Sequence, residues 1–162
     1  MQKSILIVGP YATEYSLAKV NRSLALALAK NNKEAKVGVW GTEETIDRLP
    51  QTEEYRRYTF RKELFDNGNE LATLPEGADI VIYNNFPKNS SGKLDLAKLP
   101  GKIKLAFLAW EESIYPQRWV DECNKHLHGI MVTSVHVKNI FKRCGIQIPI
   151  RSERRRVGEG GQ

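Results

Sequence analysis

The stretch Ser4–Trp40, SILIVGPYATEYSLAKVNRSLALALAKNNKEAKVGVW, decides the fold. SILIVG is a continuous apolar run of strand length, the pattern of a parallel strand covered on both faces. GPYATEY interrupts it. SLAKVNRSLALALAKNN then places Leu17, Val20, Leu24, Ala27 and Leu28 at helical spacing, with Ser16 as a candidate N-cap. Lys30 and the Asn31-Asn32 pair close the helix with a cation and a residue type that tolerates a left-handed cap. AKVGVW reads as a second strand. Strand, loop, helix and strand in this order form a right-handed crossover unit.

Working outward, the alternation continues. ADIVIYNN, residues 78–85, is a strand with Asp79 at its entrance and Asn84-Asn85 at its exit. KIKLAFLAW, PQRWVDECNKHL, GIMVTS, VHVKNIFKRCG and IQIPI follow as strand, helix, strand, helix and short strand. Pro116 opens the first of these helices and Gly145 closes the second. Between the two blocks the pattern is weaker. Residues 43–49 read as a short helix, YRRYTF as an edge strand and ELFDNGNELATL as a helix with a glycine interruption; 86–101 read as a polar loop with one helical turn at 94–98. The expected architecture is α/β: an open, doubly wound parallel sheet of six to seven strands with helices on both faces. Residues 1–150 form one domain, and the polar, glycine-rich tail 151–162 is expected to be disordered or a linker remnant.

Composition narrows the class. With 41% hydrophobic and 27% charged residues and no apolar run of membrane-spanning length, the chain reads as a globular domain. The apolar run at the N-terminus is too short for a signal-peptide core, which makes cytoplasmic residence the expectation. Cys123 and Cys144 are too few for a disulfide framework. The net charge is +6, and four Arg against two Glu in the tail supply part of it. The thin remaining surplus suits an anionic membrane surface or a phosphorylated ligand. No stripe of cations interleaved with aromatics points to nucleic acid. Cys123, His126, His128 and His136 lack the paired spacing of a zinc site, so no metal is expected.

In an open parallel sheet, ligands bind beyond the carboxyl ends of the strands. That rule selects the loops Gly9–Tyr15, Asn84–Lys93, Trp110–Tyr115 and Thr133–Ser134. The first has one glycine where a dinucleotide fingerprint needs three, and it is not a P-loop. Gly9 still permits close backbone approach, and the helix end at Ser16 can hold a phosphate or hydroxyl. In the third, LAWEESIYPQRW, two acids stand between aromatics at the end of a buried strand. Ser134 reads as the N-cap of the helix that follows.

ILIVGPYATEYSLAKVNRSLALALAKNN resembles the opening of glycosyltransferase family 4 and related GT-B-type enzymes. LAWEESIYPQRWVDECNKHLHGIMVTSVHVKNIFKRCGIQIPI is similar to a second block of that family, with loop, helix, strand and helix in the same order. The resemblance covers about 70 of 162 residues and does not extend over 41–78. It implies the Rossmann-like N-terminal half of a GT-B fold, which holds the acceptor while a second domain holds a nucleotide-sugar co-substrate. No other cofactor is implied. On this basis Glu111 or Glu112 would orient or deprotonate an acceptor hydroxyl, and Asn84, Asn85, Trp110 and Tyr115 would bind the acceptor. Gly9, Pro10, Tyr11, Tyr15 and Ser16 would form a loop facing the donor's diphosphate or the acceptor. The chain would transfer a hexosyl group to a glycan or lipid-linked acceptor only together with a C-terminal domain or partner subunit. Contact with the inner face of a membrane and weak self-association through the inter-domain face are further expectations. The competing reading is a non-catalytic α/β domain that binds a ligand or partner.

Overall fold

The computed structural model describes residues 3–10, 16–41, 78–85 and 96–152. The expected elements at 43–49, 55–60 and 63–74, the loop from 86 to 95, Tyr11, Tyr15 and the tail from 153 lie outside the described residues. Chain order is β1 (Ser4–Gly9), α1 (Ser16–Asn31), β2 (Lys36–Gly41), β3 (Ala78–Tyr83), a 3-10 turn (Leu96–Lys98), β4 (Gly101–Leu108), α2 (Gln117–His126), β5 (Gly129–Val132), α3 (Val135–Arg143) and β6 (Ile150–Ser152). The six strands form one open, entirely parallel sheet in the order β2-β1-β3-β4-β5-β6. This is the α/β architecture expected from the sequence.

The direction of chain progress reverses between β1 and β3. From β1 the chain steps one way to β2; from β4 it steps the other way to β5 and β6. Right-handed crossovers therefore put α1 on one face and α2 and α3 on the other. Burial follows the register. Leu6 pairs with Val81, and Val8 with Tyr83 and through it Ala106; Ile130 and Ile150 continue the row. All of these pack with Val120 and Cys123 of α2 and with Val137, Ile140 and Phe141 of α3 in one core. Ile7 and Ile82 pair on the opposite face and are buried outside that core, as are Ala18 and Ala25 of α1. On that face of β4 and β5, Leu105, Phe107 and Met131 are only half-buried and Ile103 is 45% exposed.

Two expectations need correction. The stripe of α1 that faces the sheet is not Leu17-Val20-Leu24-Ala27-Leu28 but Ala18-Asn21-Arg22-Ala25. Val20 and Ala27 are exposed. The i, i+3, i+4, i+7 spacing is right, but alanine's small side chain brings the helix close to the strands, and hydropathy had set the polar Asn21 and Arg22 outside the stripe. The last strand lies at 150–152 rather than 146–150, so Arg151 and Ser152 belong to the sheet and not to the tail.

The helix ends follow local chemistry. Asn31 Nδ2 donates to the Ala27 carbonyl and Asn32 Nδ2 to that of Leu28, which also accepts from the Asn32 backbone N–H. Ser134 caps α3, its Oγ accepting from Val137 N at 3.2 Å. At the other end Gly145 takes φ +103°, while its N–H donates to the Lys142 carbonyl and that of Ile146 to Phe141. This is a complete Schellman closure.

The edge of the sheet opposite the candidate site is tied by one carboxylate. Asp79 Oδ2 accepts from Ser4 N (3.0 Å) and Ser4 Oγ (3.2 Å), and Asp79 N donates back to Ser4 Oγ. Lys102 Nζ donates to Oδ1 at 2.8 Å, joining β1, β3 and β4. The Lys102 hydrogen bond and then those from Ser4 hold the Asp79 carboxyl below its ordinary value of 3.8. A depressed folded-state pKa gives stability that is present above the unfolded value and lost as pH falls through the folded one. The melting temperature should therefore fall below about pH 4 in the wild type, and Asp79→Asn should flatten that part of the profile. Thermal melts between pH 3 and 6 measure both.

Candidate functional site

The reversal in strand order lies between β1 and β3, and the carboxyl ends of these strands meet the start of α1. Their closeness depends on Gly9. A β-carbon there would stand 2.1 Å from the carbonyl oxygen of Asn84 and 2.7 Å from Nδ2 of Asn21, so no larger residue fits without movement. The space is closed by a pair of buried carboxamides. Asn21 Nδ2 donates to the carbonyls of Pro10 (2.7 Å) and Asn84 (3.2 Å), and Asn84 Nδ2 donates to Asn21 Oδ1 at 2.7 Å. The backbone N–H of Asn84 also donates to the Val8 carbonyl. Asn21 is 0% and Asn84 2% exposed. These bonds fix the path of the chain leaving β1 relative to β3 and α1.

Beside this pair opens a shallow depression of about 310 Å³, part of it open solvent. Asn84 and Asn85 line it from the end of β3, and Leu17 from the first turn of α1. The end of β4 contributes Leu108, Ala109 and Trp110, and the loop beyond it Tyr115. Among the described residues the lining is apolar apart from the two asparagines. It stands at the switch point of the sheet, where α/β domains of this kind bind ligands.

The Trp110–Tyr115 wall is braced by one hydrogen bond and a set of ring contacts. Trp110 Nε1 donates to the Ile114 carbonyl at 3.1 Å, closing the loop on itself. The ring of Tyr115 packs edge-on against Trp110 (5.0 Å between centroids), and also against Trp119 (5.5 Å) and Phe141 (4.6 Å). Tyr115 is 3% exposed, and its backbone N–H donates to the Cys144 sulfur at 3.3 Å. Burial first, then the neighbouring thiol, pushes the Tyr115 phenol above its ordinary range. Burial likewise raises Tyr83 to about 12 and Cys123 to about 11. None of the three gives up a proton near neutral pH. Cys123 is a packed, buried thiol, not an exposed nucleophile.

The structure gathers some of the expected residues and separates others. Asn84, Asn85, Trp110 and Tyr115 surround one depression. Tyr115 enters it as a core residue whose ring is already packed by three others, and the Asn84 Nδ2 is engaged by Asn21. Glu111 and Glu112 sit on the loop at the carboxyl end of β4, exposed, and are not among the lining residues. Gly9 and Pro10 are buried and turned toward Asn84 and Asn21; Ser16 is exposed at the start of α1. Ser134 caps α3. Among the described residues, no three His, Cys, Asp or Glu side chains gather as metal ligands, and no helix is long and apolar enough to cross a membrane.

Asn21 was missed by the sequence reading, and a signal for it existed: it is a polar residue one helical turn from both Ala18 and Ala25, on a helix leaving a glycine loop. In comparison with known proteins, the chain matches no family model and no curated protein sequence.

Asn21→Leu removes both donors and strands the Asn84 amide, so it should cost about 2–4 kcal/mol in chemical denaturation. Gly9→Ala should cost about 1–3 kcal/mol through forced separation of β1 and β3. Because the two changes act on one contact, the double variant should lose less than their sum.

Proposed function

We propose that the chain is the acceptor-side domain of a nucleotide-sugar-dependent glycosyltransferase of GT-B type. One observation carries the reading. Residues singled out for acceptor binding, from two loops far apart in sequence, line a single depression at the switch point of the sheet. Sugar rings pair an apolar face with hydroxyls at the edge, and an indole beside carboxamides suits both parts. Glu111 or Glu112, carboxylates on the loop that also holds Trp110, would accept the proton of the acceptor hydroxyl as it attacks the donor sugar. The donor half of the cleft would come from a second α/β domain, in the same polypeptide or a partner, with the nucleotide-sugar as co-substrate. Work at the cytoplasmic face of a membrane, on a glycan or lipid-linked acceptor, belongs to the same proposal.

A second reading, a non-catalytic binding domain, is favoured by one specific fact: neither glutamate lines the depression. The two separate on mutation. With the donor half present, Glu111→Gln or Glu112→Gln should lower kcat by about 100-fold or more if that carboxylate is the general base; the binding reading expects transfer to be absent throughout. This chain alone, incubated with UDP- and GDP-sugars and simple glycosides, should show no multiple turnover. Sustained transfer without a partner would remove the division of labour proposed here.

A further inference from the structure

At the edge of the sheet opposite the depression, a histidine ring does the work of a backbone carbonyl. β4 and β5 pair in parallel from Leu105 and Gly129 to Leu108 and Val132. Just before the first of these pairs, His128 N donates to the Lys104 carbonyl at 2.8 Å. A regular parallel ladder would return a bond from Lys104 N to the carbonyl of residue 126. Residue 126 is the last of α2, where the chain is still helical. The His128 ring serves instead: Lys104 N donates to its Nδ1 at 3.0 Å.

Only one form of the ring can do this. Nδ1 accepts through its lone pair, so the imidazole is neutral with its hydrogen on Nε2. A second proton goes to Nδ1, turns the acceptor into a donor and sets N–H against N–H. His128 is exposed, so protons reach it from solvent. Lys104 lies across from it on β4 with Nζ on the Ala97 carbonyl at 2.9 Å, and Lys102 on the same strand is engaged by Asp79. At the end of α2, Glu122 Oε2 stands 3.6 Å from His126 Nε2, with Lys125 in the same last turn. Lys104 therefore joins three pieces. Its side chain holds the 3-10 turn, whose Leu96 is buried in the core, and its backbone holds the entry to β5.

We infer that His128 is a proton-sensitive latch, which ties the start of β5 to β4 while its ring is neutral and releases the Lys104 amide when the ring is protonated. The latch lies at the far edge of the sheet from the depression, and its behaviour does not depend on what the depression binds.

Amide exchange on the full chain, followed by NMR and normalised to the intrinsic rate at each pH, reads the latch directly. From about pH 8 to about pH 5, where imidazoles change charge, protection of the Lys104 amide should fall by about fivefold. The Ile130 amide, which donates to the Pro149 carbonyl on the other side of β5, should keep its protection. His128→Asn puts a side-chain oxygen that does not titrate near the place of Nδ1, and His128→Ala removes the acceptor. Lys104 should stay protected at both pH values in the first and poorly protected at both in the second. Both variants retain His126 and His136, so a response that comes from those rings would persist in them. Long-range proton–nitrogen spectra at the higher pH should show Nδ1 without a hydrogen. A wild-type response that vanishes in both variants is the expected result. Protection of Lys104 that ignores pH in the wild type, a fall shared equally by Ile130, a fall that persists in either variant, or a hydrogen on Nδ1 at the higher pH overturns the latch.

Discussion

Three segments of this protein meet where β1 comes within contact distance of the end of β3, an approach permitted because Gly9 has no side chain. The two asparagines then turn contact into a fixed geometry. Asn84 is held through its backbone N–H by Val8, through its carbonyl by Asn21, and through its amide by Asn21 again. In a buried setting such bonds gain from the low local dielectric, and each broken one leaves a polar group without water. The orientation of α1, the course of the chain after Gly9, and the position of Asn85 on the wall of the depression all depend on this knot.

The rest of the wall is secured differently. Trp110, Tyr115, Trp119 and Phe141 form an aromatic stack joining the β4–α2 loop to both helices of one face. Arg143 Nη2 reaches the Ser113 carbonyl at 3.4 Å, and Asn124 of α2 bonds both Gly145 and Gln147 beyond α3. A loop that carries two exposed acids and an exposed Ile114 is thus anchored at its base and open at its tip. This matches the general economy of α/β domains, in which a stiff scaffold presents variable chemistry at the strand ends.

Much of the fold was legible because parallel strands leave a plain trace. ILIV, IVIY and GIMV are apolar on both faces and end in Gly, Asn or Thr, so their existence and order could be read directly. The inward stripe of α1 could not, because its tightest positions carry alanine, asparagine and arginine instead of large aliphatics. The site was legible as a set of loops, since their location follows from topology. Which side chains face inward was not, because that depends on partners distant in sequence. Tyr115, expected beside Trp110 at the ligand, lines the depression with its ring also packed into the core, and Asn84 lines it with its Nδ2 held by Asn21. The glutamates are at the rim as the topology requires, but a rim position does not specify contact with a depression.

The mutual dependence at Gly9 has a use in tracing kinship. A position without a side chain and two carboxamides, separated by a long stretch of chain, constrain one another sterically and through hydrogen bonds. In a distant cousin of this domain, replacement of either amide should therefore coincide with a change at its mate or with a rebuilt exit from the first strand. Such a three-position fingerprint could sort true cousins from accidental look-alikes where overall similarity has faded.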